Sequence, residues 1–283
     1  MALTEAYEIC NLALQGIGEN PITSALFTTP GNNKAALVCS TFYEPERDSL
    51  MEQHPWSFAL KRVDYDISDF RDTITASTAA NPVVVTGTDI SVANIIEGSS
   101  VLIEDTNISG LDDYIFVATN VVDAAQTLEL YKPDRITKVD GTTYSVATEG
   151  YIRLCPLSGY SYMYKLPTDL LRIWKLEDNS YPYEREGNYL LIDAYELNFR
   201  YISLVTDVSL FSKSFIDCLV TTLKAKFSMS LADKPERAKE FIVELEELRL
   251  PKAYRSGAIE SLPKDNQERR NPSTLTSWQQ VGH

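Results

Sequence analysis

Histidine is nearly missing from these 283 residues: only His54 and His283 occur. Imidazole is the usual side chain for proton exchange near neutral pH. A Ser/His/Asp or Cys/His nucleophile system would therefore have to use His54, and no Gly-x-Ser-x-Gly elbow accompanies it. Placed just before Pro55-Trp56, His54 reads as a helix-end cap or packed ring, while the terminal His283 has no rigid element to preorganise it. Cysteine is sparse too, with four. Cys10, Cys39, Cys155 and Cys218 stand apart among apolar neighbours, without Cys-x-x-Cys or Cys/His spacing. Zinc is not expected; buried, reduced thiols are. Walker A and Gly-x-Gly-x-x-Gly sequences are missing, and Gly16-Ile17-Gly18 follows a helix rather than a strand, the wrong context for phosphate. No uncharged apolar run reaches the length of about 18 residues that a membrane helix needs. The opening MALTEAYEIC carries Glu5 and Glu8 where a signal peptide is basic. A soluble protein made in the cytoplasm, without membrane, cofactor or catalytic residues, is the expectation.

Positive charge is also in short supply, with 26 Lys and Arg against 40 Asp and Glu for a net −14. Such a chain repels polyphosphate, and its densest basic cluster is only Arg269-Arg270 beside Glu268. Acidic pairs abound instead: Asp64/Asp66, Asp112-Asp113 and Glu244/Glu246-Glu247. They could in principle form a glycosidase pair or a calcium site. Without an EF-hand loop they read as solvated faces. The 16 tyrosines include an alternating set, Tyr160, Tyr162 and Tyr164, followed by Tyr181, Tyr183, Tyr189, Tyr195 and Tyr201. Without interleaved basic residues, core or subunit interface fits the first group better than stacking on nucleic acid.

Periodicity divides the chain. Residues 4–17 read as a helix with Thr4 as N-cap and Ile9, Leu12, Ala13 and Ile17 on one stripe, stopped by Gly18 and Asn20-Pro21. A loop to residue 33 precedes a second helix over 34–53, which Pro45 should kink or split. Trp56, Phe58 and Leu60 alternate as a strand. From 72 to about 160 the helical period disappears. Short β-rich runs (Val83–Thr86, Val101–Glu104, Tyr114–Thr119, Thr127–Tyr131, Tyr144–Val146, Tyr151–Cys155) alternate with turn dipeptides, as in a small barrel or sandwich inserted into the chain. Strands at Tyr160–Leu166, Leu170–Leu176, Tyr189–Asp193 and Glu196–Ile202 follow. Phe215, Leu219, Leu223, Phe227 and Leu231 then mark a helix over 213–231, and a last one starts near Pro235 with Phe241, Ile242, Leu245 and Leu248. Residues 251–283 are polar and poorly periodic, an extended arm. The fold class expected is α+β: a helical bundle platform with a small antiparallel sheet (1–71 and 161–250), an inserted β-barrel or sandwich (72–160) and the arm (251–283).

Asn11-Leu12-Ala13-Leu14 comes before Ile17-Gly18-Glu19-Asn20-Pro21-Ile22, followed by Arg47-Asp48-Ser49-Leu50 and Pro55-Trp56-Ser57-Phe58-Ala59. After the insertion come Tyr164–Arg172, Tyr183–Gly187, Leu197–Ile202 and the helix with Phe215–Leu219. In this collinear order the pieces resemble the head-to-tail adaptors (tail tubular protein A type) of short-tailed bacteriophages. Pro45 and the long β insertion depart from the compact pattern. The resemblance implies a homo-oligomeric, typically dodecameric ring in the virion neck, between the portal protein and the tail nozzle, with DNA passing through unbound by sequence. An acidic lining agrees, because it lets DNA slide. Within the arm, Leu275 and Trp278 are the expected anchors on a portal or sister subunit, with Arg269, Arg270 and Tyr254 beside them. The competing readings are a muramidase-type cell-wall hydrolase with two carboxylates, and a glycan-binding tail module at 72–160.

Overall fold

A computed structural model of the chain describes residues 3–178, 180–231 and 234–260. The protein is α+β and divides into two compact units, one formed by the chain up to Lys61 and from Tyr201 onward, the other by Arg62–Arg200.

The first unit is helical. Helix α1 (Ala6–Ile17) starts at Glu5, not Thr4: Glu5 and Glu8 form a capping box. It ends at Gly18, whose left-handed φ of 89° lets its N–H reach the carbonyls of Leu14 and Gln15. Its buried stripe is Ile9, Cys10, Ala13, Leu14 and Ile17; Leu12, expected within it, is exposed. The expected loop contains a short helix, α2 (Ser24–Thr28), capped by Thr23. Helix α3 (Lys34–Gln53) is not split by Pro45. Of the expected strand at Trp56–Leu60 only Leu60 is in a strand; the residues before it turn, because Trp56 reaches back and its indole Nε1 donates to the Leu50 carbonyl at 2.9 Å. That carbonyl lies in the last turn of α3, where backbone acceptors lack helical partners.

Helix α4 (Lys213–Ser230) is the hub, packing against α1, α3 and the C-terminal helices. Phe215, Leu219, Leu223 and Phe227 are all fully buried, as their four-residue spacing predicts. Helix α5 (Pro235–Glu244) runs through a π-helical turn (Leu245–Arg249) into α6 (Leu250–Glu260). Residues 251–260 are therefore helical, which corrects the expectation of an extended arm from Pro251. Proline lacks the N–H that would close an ordinary helical turn. The adjacent wide turn, in which the Leu250 N–H bonds the Leu245 carbonyl, carries the helix past it. The remainder of the expected arm lies outside the described residues.

The second unit is mostly β. Strand β1 (Leu60–Asp66) leads to the closed barrel of β2 (Arg71–Ser77), β3 (Val84–Gly87), β4 (Ser100–Glu104), β5 (Ile115–Val122), β6 (Thr127–Tyr131) and β7 (Tyr151–Leu154). The barrel order β2-β3-β6-β5-β4-β7 contains a Greek key, with β3 returning to lie beside β6. Its core includes Ile74, Val85, Val101, Ile103, Leu128, Leu130 and Ile152, all nearly or wholly inaccessible. Tyr144–Val146 is not a strand; β2 supplies the sixth. Two three-stranded sheets follow. One has the order β1-β12-β9, with β9 (Leu170–Leu176) and β12 (Glu196–Ser203); the other has β10-β11-β8, with β8 (Tyr162–Lys165), β10 (Tyr183–Glu186) and β11 (Tyr189–Ile192).

The compact units divide at Arg62 and Arg200, and the closed barrel occupies residues 71–154 of the second. Met163 of β8 and Tyr189 of β11 pack on the barrel core, which ties that sheet to the barrel rather than to the helices. At the crossing points the Ser203 N–H and Oγ both donate to the Ala59 carbonyl, at 2.8 and 2.9 Å. The ends of the helical segments therefore meet, and a short loop can join them at little entropic cost. Replacing Arg62–Arg200 by a short Gly/Ser linker is expected to leave the helical circular dichroism per helical residue unchanged. Collapse of the helical signal in that deletion would show the helices to depend on the β unit.

Candidate functional site

The motifs on which the resemblance rests occupy structural positions. Asn11 holds the Pro21-Ile22 turn against α1, donating from Nδ2 to the Ile22 carbonyl (2.9 Å) and accepting the Ile22 N–H (2.7 Å). This couples the Asn-x-Ala-Leu helix to the Pro-Ile turn that follows. In the Arg-Asp pair, buried Arg47 donates from Nε to Asp48 Oδ1 at 2.7 Å and lies over the Tyr43 ring. Trp56 and Phe58 both meet the ring of Phe215, at 5.0 and 5.1 Å between centroids. Tyr164 is buried, and its hydroxyl donates to the Ala194 and Tyr195 carbonyl region, at 2.9 and 2.6 Å. The alternating tyrosines thus contribute at least this one member to the core.

Of the residues expected to bind a partner, Tyr254 is placed on α6, stacked on His54 with ring centroids 4.0 Å apart. Trp56 meets the other side of this pair, edge-on to His54 at 5.1 Å. Tyr254 is half-buried, and burial pushes its phenol above the ordinary range. Its aromatic face already has a partner within the chain. Arg269, Arg270, Leu275 and Trp278 lie outside the described residues.

The titratable groups show where the acidic side chains act. Asp66, Asp178 and Asp207 each bind the N–H two residues on, and Asp134 and Asp140 do the same for Ile136 and Thr142. Hydroxyl donors on Ser68, Ser180, Ser209, Thr137 and Thr142, and then these N–H bonds, hold their carboxyls below the usual range, Asp134 at about 2. Such carboxylates stay charged and terminate turns. Asp112 accepts from Thr106, and Glu244 pairs with Arg249 at 2.7 Å. Among the described residues no group of three or more His, Cys, Asp or Glu could hold a metal ion. No described helix is long and apolar enough to cross a membrane.

All four cysteines are buried and free. The fold brings Cys10 of α1 and Cys39 of α3 together, and their mutual hydrogen bond with burial pushes the Cys10 thiol upward. Their positions far apart in the sequence gave no sign of this pairing. Tyr43, on the apolar side of α3, is buried, and its hydroxyl has no hydrogen-bond partner among the described residues. Burial pushes that phenol up to about 12. Because an unsatisfied buried hydroxyl costs free energy, Tyr43→Phe is expected to leave stability unchanged or raise it by about 1 kcal/mol. Chemical denaturation measures this; a loss above that size would mean the hydroxyl has a partner.

Several apolar side chains of the helical unit are uncovered beside its polar surface. Leu12, Leu37, Met229, Ile242, Val243 and Leu248 are all at least two-fifths exposed. Ile242 and Leu248, named among the apolar residues of the last helix, lie at the surface. The charge lies mainly elsewhere: Arg62–Arg200 holds 22 acidic and 11 basic residues, a net −11 of the chain's −14. No protein-family model matches the chain, and no curated protein matches it.

Proposed function

We propose that the chain is a structural virion protein, a head-to-tail adaptor that assembles as a homo-oligomeric ring between the portal protein and the tail nozzle. In this reading it works in the phage neck, continues the DNA channel and catalyses no reaction. The observation that carries it is the collinear set of adaptor-like motifs on two distant flanks, whose helices join in one unit with its apolar side chains uncovered. Exposed apolar side chains of this kind are ones that a subunit can bury against its neighbours. The acidic β unit supports passage of DNA without adhesion, since fixed negative charge repels the phosphate backbone.

Native mass measurement of the purified chain, alone and mixed with its portal, tests the assembly. A closed oligomer that joins the portal is expected; a monomer under both conditions would end the adaptor reading. The hydrolase alternative needs a carboxylic acid whose affinity for protons is raised. Among the described residues, every carboxylate that departs from its usual range is shifted downward. No clearing of peptidoglycan in a zymogram is therefore expected. Clearing that disappeared with one carboxylate substitution would instead favour the muramidase.

A further inference from the structure

The Arg62–Arg200 unit carries a groove of about 870 Å³ bordered by the loop before β4, the end of β5 and the β10–β11 hairpin. Its floor is apolar: Ile95, Ile96, Val121 and Tyr189. Ile96 is 63% exposed, an unusual place for an isoleucine in a protein this polar. Val92 and Val122, next along the same two segments, are exposed as well.

The rim is acidic. Glu97, Asp123 and Glu186 line the groove and are exposed, and none of them forms an ion pair with a described cation. The one lysine there, Lys165, directs its Nζ to Asn94 Oδ1 at 2.7 Å rather than to a carboxylate. Arg185 Nε also sits nearby, on the Gly187 carbonyl at 3.2 Å, but three exposed carboxylates without ion pairs around an apolar floor still favour a ligand with a large apolar anchor and adjacent positive charge.

The chain itself contains such a segment beyond the described residues. Arg269–His283 holds two arginines and no acidic residue, although the whole chain has 40 acids. Leu275 and Trp278 follow the arginine pair, and a tryptophan is the strongest common interface anchor. Residues 261–268 separate it from α6 and can span at most roughly 30 Å.

We propose that Arg269–His283 of one copy docks in this groove of a second copy, with Trp278 against Ile96 and the arginines at the Glu97, Asp123 and Glu186 rim. A groove and a terminal segment are different patches, and joining different patches of identical chains is the heterologous contact from which closed rings are built. The proposal deepens the ring reading and rests on it for the number of copies joined, not for the contact itself.

Complementation between two defective full-length chains tests it. Ile96→Asp spoils the groove at an exposed position, and Trp278→Ala spoils the segment; circular dichroism checks that both stay folded. By sedimentation each variant alone is expected to self-associate at least roughly 30-fold more weakly than the parent chain. Mixed, they are expected to form a heterodimer and stop, because one intact groove and one intact segment remain. That heterodimer is also expected to weaken as salt rises.

A parent chain that is monomeric, variants that assemble like it, or a mixture that stays monomeric would each overturn the proposal. The last result is the one expected if the segment docked on its own chain. Failure here leaves the adaptor reading intact if the variants still form rings that bind portal. Successful complementation by a chain that never binds portal would instead remove the adaptor reading and keep the contact.

Discussion

Arg153→Ala is expected to destabilise the β unit by about 3 kcal/mol, seen as an earlier unfolding transition of the β signal in denaturant. Arg153 sits on β7 with its side chain 5% exposed, between the barrel wall and the segment entering β8. Its Nε and Nη2 donate to the two oxygens of Glu104 at 3.0 and 2.8 Å. Nη1 reaches the Ser161 carbonyl at 2.9 Å, and the guanidinium lies over the Tyr162 ring at 4.8 Å.

Truncation leaves Glu104 without its cation and strands the Ser161 carbonyl. Removing one partner of a buried pair typically costs about 3–5 kcal/mol. The lower end applies here, because the Glu104 side chain keeps 27% of its surface in water and regains some solvation. Arg153→Met with Glu104→Leu removes both charges, so the double variant is expected to lose less than the sum of the two single losses. A single-variant loss below about 1 kcal/mol, or strict additivity, would mean that the ion pair contributes little.

How far the sequence anticipated these elements depended on whether one side-chain period governed them. Helix α4 was readable because Phe215, Leu219, Leu223 and Phe227 repeat at a helical step and all four are buried. The barrel strands β3 to β7 were readable from short β-rich runs between turns. Strand β2 was not, because its inward positions include Asp72 as well as Ile74. Asp72 is buried by accepting the N–H groups of Thr88 and Asp89 at 3.2 and 2.9 Å, a bond across the fold that no local pattern encodes.

The Trp56 turn failed the same way. Alternation of Trp56, Phe58 and Leu60 matches a strand, but the indole bond to Leu50 and the rings of α4 decide otherwise. Pro251 misled as a terminator because a π turn preceding it is not visible in residue identity. Of the partner-binding residues, Tyr254 was named without its stacking on His54, since that contact joins positions 200 residues apart.

Phe215→Ala is expected to be among the most damaging single changes in the helical unit, costing about 3–5 kcal/mol. Phe215 is fully buried at the first turn of α4, where the capping Ser212 accepts its N–H at 3.3 Å. Its ring meets Trp56 at 5.0 Å and 78°, Phe58 at 5.1 Å and 68°, and Phe211 at 4.9 Å and 69°. These are edge-to-face arrangements, which add to the hydrophobic term. The three partners come from the turn after α3 and the approach to α4, so the cavity left by alanine would be walled by large rings that cannot close it without moving backbone. Phe215→Leu keeps most of the volume and is expected to cost less than half as much.

Leu210→Ala supplies the control: it lies close by in sequence but is 57% exposed, so a change within about 0.5 kcal/mol is expected. Because Trp56 touches both Phe215 and the His54–Tyr254 stack, the Phe215→Ala chain is also expected to lose near-ultraviolet dichroism from these rings at a temperature where its far-ultraviolet helical signal persists. Equal losses for Phe215→Ala and Leu210→Ala would show that this aromatic cluster does not hold the Trp56 turn to α4.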